Sequence, residues 1–374
     1  MSGEMPVPAP DVIGTPEPAA VATFATRLLQ WWDRHGRKQL PWQQERTPYR
    51  VWLSEVMLQQ TQVATATPYF LRFTAAYPTV QALAAAPLDD VLHLWSGLGY
   101  YARARNLHAA ARDVVARYGG FFPGDLAELQ SLPGVGRSTA AAILSLAHDA
   151  RHTILDGNVK RVLTRWAGIE GYPGLPAIER RLWALAEACT PGARNADYTQ
   201  AIMDLGATLC TRTRPACGIC PLHEDCIARV AGRQSLLPTP KPVAKARRVR
   251  RVVALVAVGS AGIWLEQRPT RGIWGGLWSF PEFADEAEAL AGHGFAAART
   301  AAALTWPVVF HAFTHYDLEL VPWVLPVAEV GGRRVQDVAV AGVWYNGAAD
   351  VRLGLPAPVE RLVAAVLAGQ SGEA

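Results

Sequence analysis

Long apolar runs are missing from this sequence. The stretch Val252–Val258 has seven consecutive apolar residues, whereas a membrane-spanning helix needs about eighteen or more, so no membrane partner is expected. An export signal is missing as well. Glu4, Asp11 and Glu17 precede the first arginine, Arg27, with no apolar core among them. Residues 1–20 therefore read as a disordered Pro/Ala-rich tail, and the protein as cytoplasmic. Net charge is small, with 36 Lys and Arg against 32 Asp and Glu, so overall charge argues little for nucleic acid. Its distribution says more: Lys241, Lys245, Arg247, Arg248, Arg250 and Arg251 form an acid-free run, suited to a solvated linker or to phosphate contact. Cysteine is sparse, at five residues. Without a secretion signal, clustered cysteines point to metal or cluster ligation.

What is present divides in two. The chain of 374 residues, half of them hydrophobic, is long enough for two domains. Residues 21–231 carry helical periodicity throughout, punctuated by Pro78, Pro87, Gly97, Gly99, Gly119, Gly120, Pro133 and Pro191. Residues 232–250, rich in Pro, Lys and Arg, read as a basic linker. Over 251–366 the texture becomes short β-branched and aromatic runs, at Val252–Val258, Ile263–Gln267, Val308–Thr314 and Leu318–Leu325. That half reads as α+β. Residues 367–374 form a tail. Cys189 shares a helical stripe with Leu182, Leu185 and Ala186 and reads as a core residue.

Three strings carry chemistry. L-P-G-V-G-R-S-T-A at 132–140 opens an apolar helix after two glycines, Gly134 and Gly136. Glycine lets the backbone approach a ligand, and a helix start offers unsatisfied N–H groups to a phosphate. The second string, D-G-N-V-K-R-V-L at 156–163, sets Asp156 just outside a helix whose expected N-cap is Asn158. A carboxylate there is favoured as the anion; it suits either stabilisation of a cation or simple capping. The third, V-W-L-S-E-V-M-L-Q-Q-T at 51–61, surrounds Glu55 with apolar neighbours on its helix. Desolvation raises a carboxyl pKa, so Glu55 is a candidate general acid, or else a buried acid paired with an arginine. One neutral and one ionised carboxyl is the arrangement that glycosidic cleavage requires.

Cys210, Cys217, Cys220 and Cys226 follow in a C-x6-C-x2-C-x5-C pattern. Four thiolates suit structural zinc or an iron–sulfur cluster, and zinc sites usually have close pairs at both ends, where this pattern has one. Arg212 and Arg214 would give the loop a phosphate-facing charge.

Taken together, the strings at 48–65, 97–107, 132–140 and 155–163, the cysteine pattern, and W-G-G-L-W-S-F-P at 274–281 resemble the MutY-type adenine DNA glycosylases of the endonuclease III superfamily. The resemblance implies an all-α helix-hairpin-helix domain with a [4Fe–4S] loop and an α+β Nudix-like C-terminal domain. It implies a monomer that binds double-stranded DNA holding adenine opposite 8-oxoguanine or guanine, and so associates with the nucleoid. Adenine would be extruded from the stack. Glu55 would protonate its N7, and Asp156 would stabilise the sugar cation. Trp42, Gln200 and Asn158 would line the adenine pocket. Gln60 and Tyr100 would wedge into the vacated step, with Tyr100 otherwise a core residue, and Thr61 and Leu98 would lie near the lesion. Gly134, Gly136, Ser138 and Lys160 would meet DNA. Ser138 stands where lyase-competent relatives carry lysine, and a Schiff base needs an amine, so hydrolysis without strand cleavage is expected. Lys160 suits a phosphate contact or slow incidental adducts. Thr314 and His315 match a lesion-contacting loop. The acidic run that binds magnesium in Nudix hydrolases is lacking, so pyrophosphate hydrolysis is not expected.

Overall fold

The computed structural model describes residues 16–242, 247–292, 303–313, 316–327, 342–348 and 351–369. Two compact units emerge: residues 1–81 with 110–243, and residues 82–109 with 244–374.

The first unit is helical. Pro18–His35, Pro48–Leu58 and Pro176–Cys189 each begin on proline, whose fixed φ and missing N–H suit a first helical turn. Thr47 caps Pro48–Leu58 by accepting from Arg50 N, and Asp125 caps Leu126–Gln130 by accepting from Ala127 and Glu128 N. The apolar faces meet around Phe24, Trp52, Phe70, Phe73 and Trp166, each at most 1% exposed. Each such side chain stabilises by about 1.5–3 kcal/mol on burial. Phe24 stands edge-on to Trp166, with centroids 4.6 Å apart. Helix Asn195–Thr208 runs through this core against Pro18–His35, Arg137–His148 and Gly157–Trp166. Cys189 is buried there as a core residue.

The second unit is built on a mixed sheet. Strands Arg248–Gly259 and Tyr316–Pro326 pair in parallel from Arg248 opposite Tyr316 to Val258 opposite Pro326. Residues 252–257 are buried at every position, as a central strand covered on both faces requires. Gly262–Gln267 returns antiparallel to the first strand, and Val309–Ala312 lies antiparallel to Tyr316–Pro326. The strand starts at Arg248, inside the stretch read as linker. Its basic residues have partners: Arg247 with Asp317 at 3.2 Å, Arg250 with Glu282 at 3.3 Å, and Arg251 with Glu319 at 3.9 Å. The segment 82–109, read from sequence as part of the helical half, groups with the sheet because its polar atoms are satisfied there. The His93 ring donates from Nδ1 to Leu353 O (3.1 Å), Tyr101 OH to Leu355 O (2.8 Å), and Arg105 Nη1 to Gly275 O (2.6 Å).

Candidate active site and cysteine loop

Glu55 stands on helix Pro48–Leu58 between buried Ser54 and Val56, itself only partly buried. Burial, and secondarily the charge of Asp156, push its carboxyl up to about 8. It can therefore hold a proton at neutral pH while keeping some accessible surface.

Asp156 is the N-cap of helix Gly157–Trp166, and this corrects the assignment of that role to Asn158. The helix begins two residues earlier than expected, so Asp156 Oδ1 accepts from Val159 N at 2.8 Å while Asn158 Nδ2 donates to Oδ2 at 3.2 Å. Burial pushes this carboxyl up as well, against the pull of Val159 N–H, the Arg161 charge and Asn158. Its negative charge is one of the causes that raise Glu55. The pair thus has a division of labour: donors stabilise the anion on Asp156, and Glu55 has only burial and a neighbouring anion.

The turn before Asp156 is pinned by the hairpin. Ser138 Oγ accepts from Leu155 N at 3.0 Å, which ties helix Arg137–His148 to the segment carrying the carboxylate. Behind Asp156 runs a chain of hydrogen bonds. Arg161 donates from Nη2 to Asn158 Oδ1 (2.8 Å) and Gly206 O (2.7 Å), and from Nε to Cys210 O (2.7 Å). Sequence reading passed over Arg161, although its spacing of three from Asn158 puts both on one helix face.

Trp42 and Gln200 are both buried, at 6% and 4% exposure. Trp42 stacks edge-on against Phe70, with centroids 5.5 Å apart. Gln200 Nε2 donates to Asp204 Oδ1 at 2.9 Å, and Asp204 also binds Arg37 and Trp32. Asp204 and Arg37 were not legible as site residues. The available signal was an acid four residues after Gln200 on an apolar helix.

The remaining candidates are more scattered. Gln60 is exposed with φ 57°, and Thr61 follows it; Gly134 has φ 76° and Gly136 caps helix Arg137–His148 without a side chain. Lys160 Nζ sits 2.6 Å from Glu179 Oε1, so its charge already has a partner. Leu98 and Tyr100 belong to the second unit. There Leu98 is 6% exposed, and Tyr100 is 52% exposed with φ 49°. Tyr100 is thus no core tyrosine. Thr314 and His315 lie outside the described residues.

Cys210, Cys217, Cys220 and Cys226 line a single cavity with Val162, Leu205 and Leu222. Burial pushes the Cys220 thiol up to about 12, with the other three cysteines adding to the rise. Four thiolates gathered in an apolar hollow repel one another, and a cationic iron–sulfur core offsets that repulsion, so the residues fit such a group. Buried Arg165 donates from Nη1 to Cys210 Sγ at 3.4 Å and to Thr211 O at 2.7 Å. Arg212 and Arg214 are exposed on the same loop.

Comparison with known proteins adds names to this geometry. Residues 53–188 match the HhH-GPD superfamily of base excision DNA repair proteins, residues 210–226 the iron-sulfur binding domain of endonuclease III, and residues 252–365 the NUDIX domain. The chain is 37% identical over 340 residues to an adenine DNA glycosylase of Buchnera aphidicola subsp. Acyrthosiphon pisum, a match covering 91% of this chain and 96% of that one. It is 40% identical over 314 residues to an adenine DNA glycosylase of Rattus norvegicus, covering 70% of this chain and 61% of the other. A thermostable thymine-DNA glycosylase shares its fold at a TM-score of 0.51 and 27% identity, over 57% of this chain and 98% of that one.

Proposed function

The chain belongs to the adenine DNA glycosylases, and from that premise we propose that it hydrolyses the N-glycosidic bond of adenine paired with 8-oxoguanine or guanine. Adenine removal in base excision repair and a [4Fe–4S] cluster come with the family. The mispair, the residue roles and the absence of lyase chemistry are the proposal. One observation carries it: a carboxyl pushed up to about 8 by burial and by the charge of a second carboxyl, which itself accepts hydrogen bonds from Val159 N and Asn158 Nδ2.

In this reading adenine leaves the stack because its bond to the sugar is unreachable inside the duplex. Glu55 gives its proton to N7, the electrons of the C–N bond move into the base, and the sugar develops positive charge. Asp156 faces that charge. Glu55, now an anion, takes a proton from the water that attacks the sugar carbon. Asn158 holds Asp156, while Trp42 and Gln200 close on the base. Ser138 presents a hydroxyl already engaged by Leu155 N, not an amine, so no Schiff base forms and the strand stays intact. Cys210, Cys217, Cys220 and Cys226 would hold the cluster, and their ligation would brace the loop that presents Arg212 and Arg214. Gln60, Thr61, Leu98, Tyr100, Gly134 and Gly136 would contact DNA, with Thr314 and His315 at the lesion, and one copy would act per lesion in the cytoplasm.

The test is single-turnover base release on duplexes that differ only in the partner of adenine. Release should be fastest opposite 8-oxoguanine, then guanine, with no nicking before alkali. Equal release opposite every partner would remove the mispair from the proposal, and nicking without alkali would remove the hydrolytic mechanism.

A further inference from the structure

Tyr100 stands at φ 49° with 52% of its surface exposed. A residue with a Cβ is strained in that region, so the conformation persists only where neighbours enforce it. The turn between helices Leu88–Trp95 and Ala102–Tyr118 supplies them. Gly97 and Gly99 take φ of 89° and 75°, Trp95 Nε1 donates to Gly99 O (3.0 Å), and Arg103 Nη2 donates to Leu98 O (3.3 Å) and Gly99 O (3.1 Å). Tyr101 adds a connection of longer range. Its hydroxyl, on a side chain 8% exposed, accepts from Gly97 N at 3.4 Å and donates to Leu355 O at 2.8 Å.

Leu355 ends a strap of three residues whose consecutive carbonyls alternate between partners. Leu353 O accepts from His93 Nδ1 (3.1 Å), Gly354 O from Trp278 N (2.9 Å) and Leu355 O from Tyr101. The strap has no room to slide, since a Cβ at Gly354 would lie 2.6 Å from Leu92 Cβ and 3.0 Å from Leu277 Cδ2. Trp278 opens strand Trp278–Ser279, four residues after Trp274, whose ring centroid stands 5.6 Å from that of His311 and 5.1 Å from that of Phe313. Thr314 and His315, set at the lesion in the function proposed above, follow Phe313 directly in the chain. All of these residues belong to the second unit. One run of packed and hydrogen-bonded groups thus leads from Phe313 to the turn that presents Tyr100.

We infer that Tyr101 is a positioning residue for lesion preference: through Leu355 it ties the Gly97–Tyr100 turn to the part of the sheet that meets the oxidised base. A lesion held by the sheet then helps to seat Tyr100 in the duplex, and guanine, held less well, helps less. The inference rests on the placement of Tyr100 and of the loop after Phe313 on DNA proposed above. A merely structural Tyr101 would slow release from every duplex alike.

The experiment is single-turnover adenine release opposite 8-oxoguanine and opposite guanine, read as a ratio so that the active fraction cancels. A 2-aminopurine beside the mispair, which brightens when unstacked, reports insertion at the same step. Phenylalanine keeps the ring and its packing, so Y101F loses only the two hydroxyl bonds. The ratio should fall about fivefold, the worth of roughly one hydrogen bond, with release opposite guanine within about twofold of wild type. The extra brightness that the lesion gives over guanine should shrink with it. An unchanged ratio overturns the inference. So does a lowered ratio with the wild-type fluorescence difference, which would place the effect outside the turn. If Y101F yields no folded, iron-bearing protein, H93A reads the same ratio, because His93 is exposed and holds Leu353 O of the same strap: a lowered ratio supports the inference and an unchanged one overturns it. Wild-type protein with no preference for 8-oxoguanine would sink the functional reading itself, and that result is in hand before any variant is compared.

Discussion

Arg161 joins Asn158 to Cys210: one guanidinium donates to the amide that holds Asp156 and to the backbone of a cluster ligand, at 2.8 and 2.7 Å. The cysteine loop and the candidate carboxylate thus share a single rigid support. Arg161→Met keeps the aliphatic stem but removes all three bonds. Base release should drop about tenfold to a hundredfold, as loss of an orienting partner does elsewhere, and visible absorbance of the cluster should decay faster under oxygen. If absorbance falls while the iron-loaded fraction releases adenine at the wild-type rate, Arg161 serves the loop alone.

Glu55→Gln removes the transferable proton and leaves the shape. It should keep binding to mispaired duplex and release no adenine in single turnover. In the parent, the rate should decline above about pH 8 as the acid loses its proton. Stability has its own sign. The unfolded carboxyl titrates near its ordinary value of 4.5, the folded one near 8, so the folded state binds the extra proton between those limits. Stability is then full below about pH 4.5 and falls as pH rises toward 8. Glu55→Gln should flatten that slope in denaturant titrations and be more stable than the parent at pH 8, by an amount on the order of a few kcal/mol.

Asp156→Asn separates capping from chemistry. Asparagine caps helices about as well as aspartate, so the melting temperature should stay within a few degrees of the parent. Under the proposed mechanism the substitution removes the anion that faces the sugar, and release should slow at least a hundredfold, the scale of losing an electrostatic partner of a transition state. Near-parental rates would reduce Asp156 to a cap.

Much of this could be read from the letters because it depends on short-range rules. Glu55 among Val51, Trp52 and Leu58 announces a desolvated acid, and the thiol spacing announces a shared ligand. The bounds of strands Gly262–Gln267 and Tyr316–Pro326 lie within two residues of the apolar runs that marked them. Long-range partners were not legible. Lys160 reads from sequence as a phosphate contact or a source of slow adducts, and its partner Glu179, nineteen residues away and 2.6 Å from it, shows only in the fold. The basic run ending at Arg251 read as solvated linker or phosphate contact because its acids, Glu282, Asp317 and Glu319, lie on other strands. The bond from Leu155 N to the Ser138 hydroxyl was likewise not legible, because it exists only once hairpin and turn are folded together.

Gly206 offers a purely steric test of the same support. A Cβ built there would lie 2.6 Å from Asn158 Cβ, closer than carbon atoms tolerate, and 3.1 Å from its backbone Cα, a tight contact. Within helix Asn195–Thr208, alanine gains about 1 kcal/mol of intrinsic propensity over glycine. Overpacking against a fixed neighbour costs about 1–3 kcal/mol. The clash should win, because relief means moving Asn158 away from Asp156 or parting Arg161 from Gly206 O. Gly206→Ala should therefore lower stability by roughly 1 kcal/mol in denaturant titrations and slow adenine release more than that loss explains. A stabilised variant with the parental rate would show that Asn158 can shift freely, and that the carboxylate does not depend on the helix behind it.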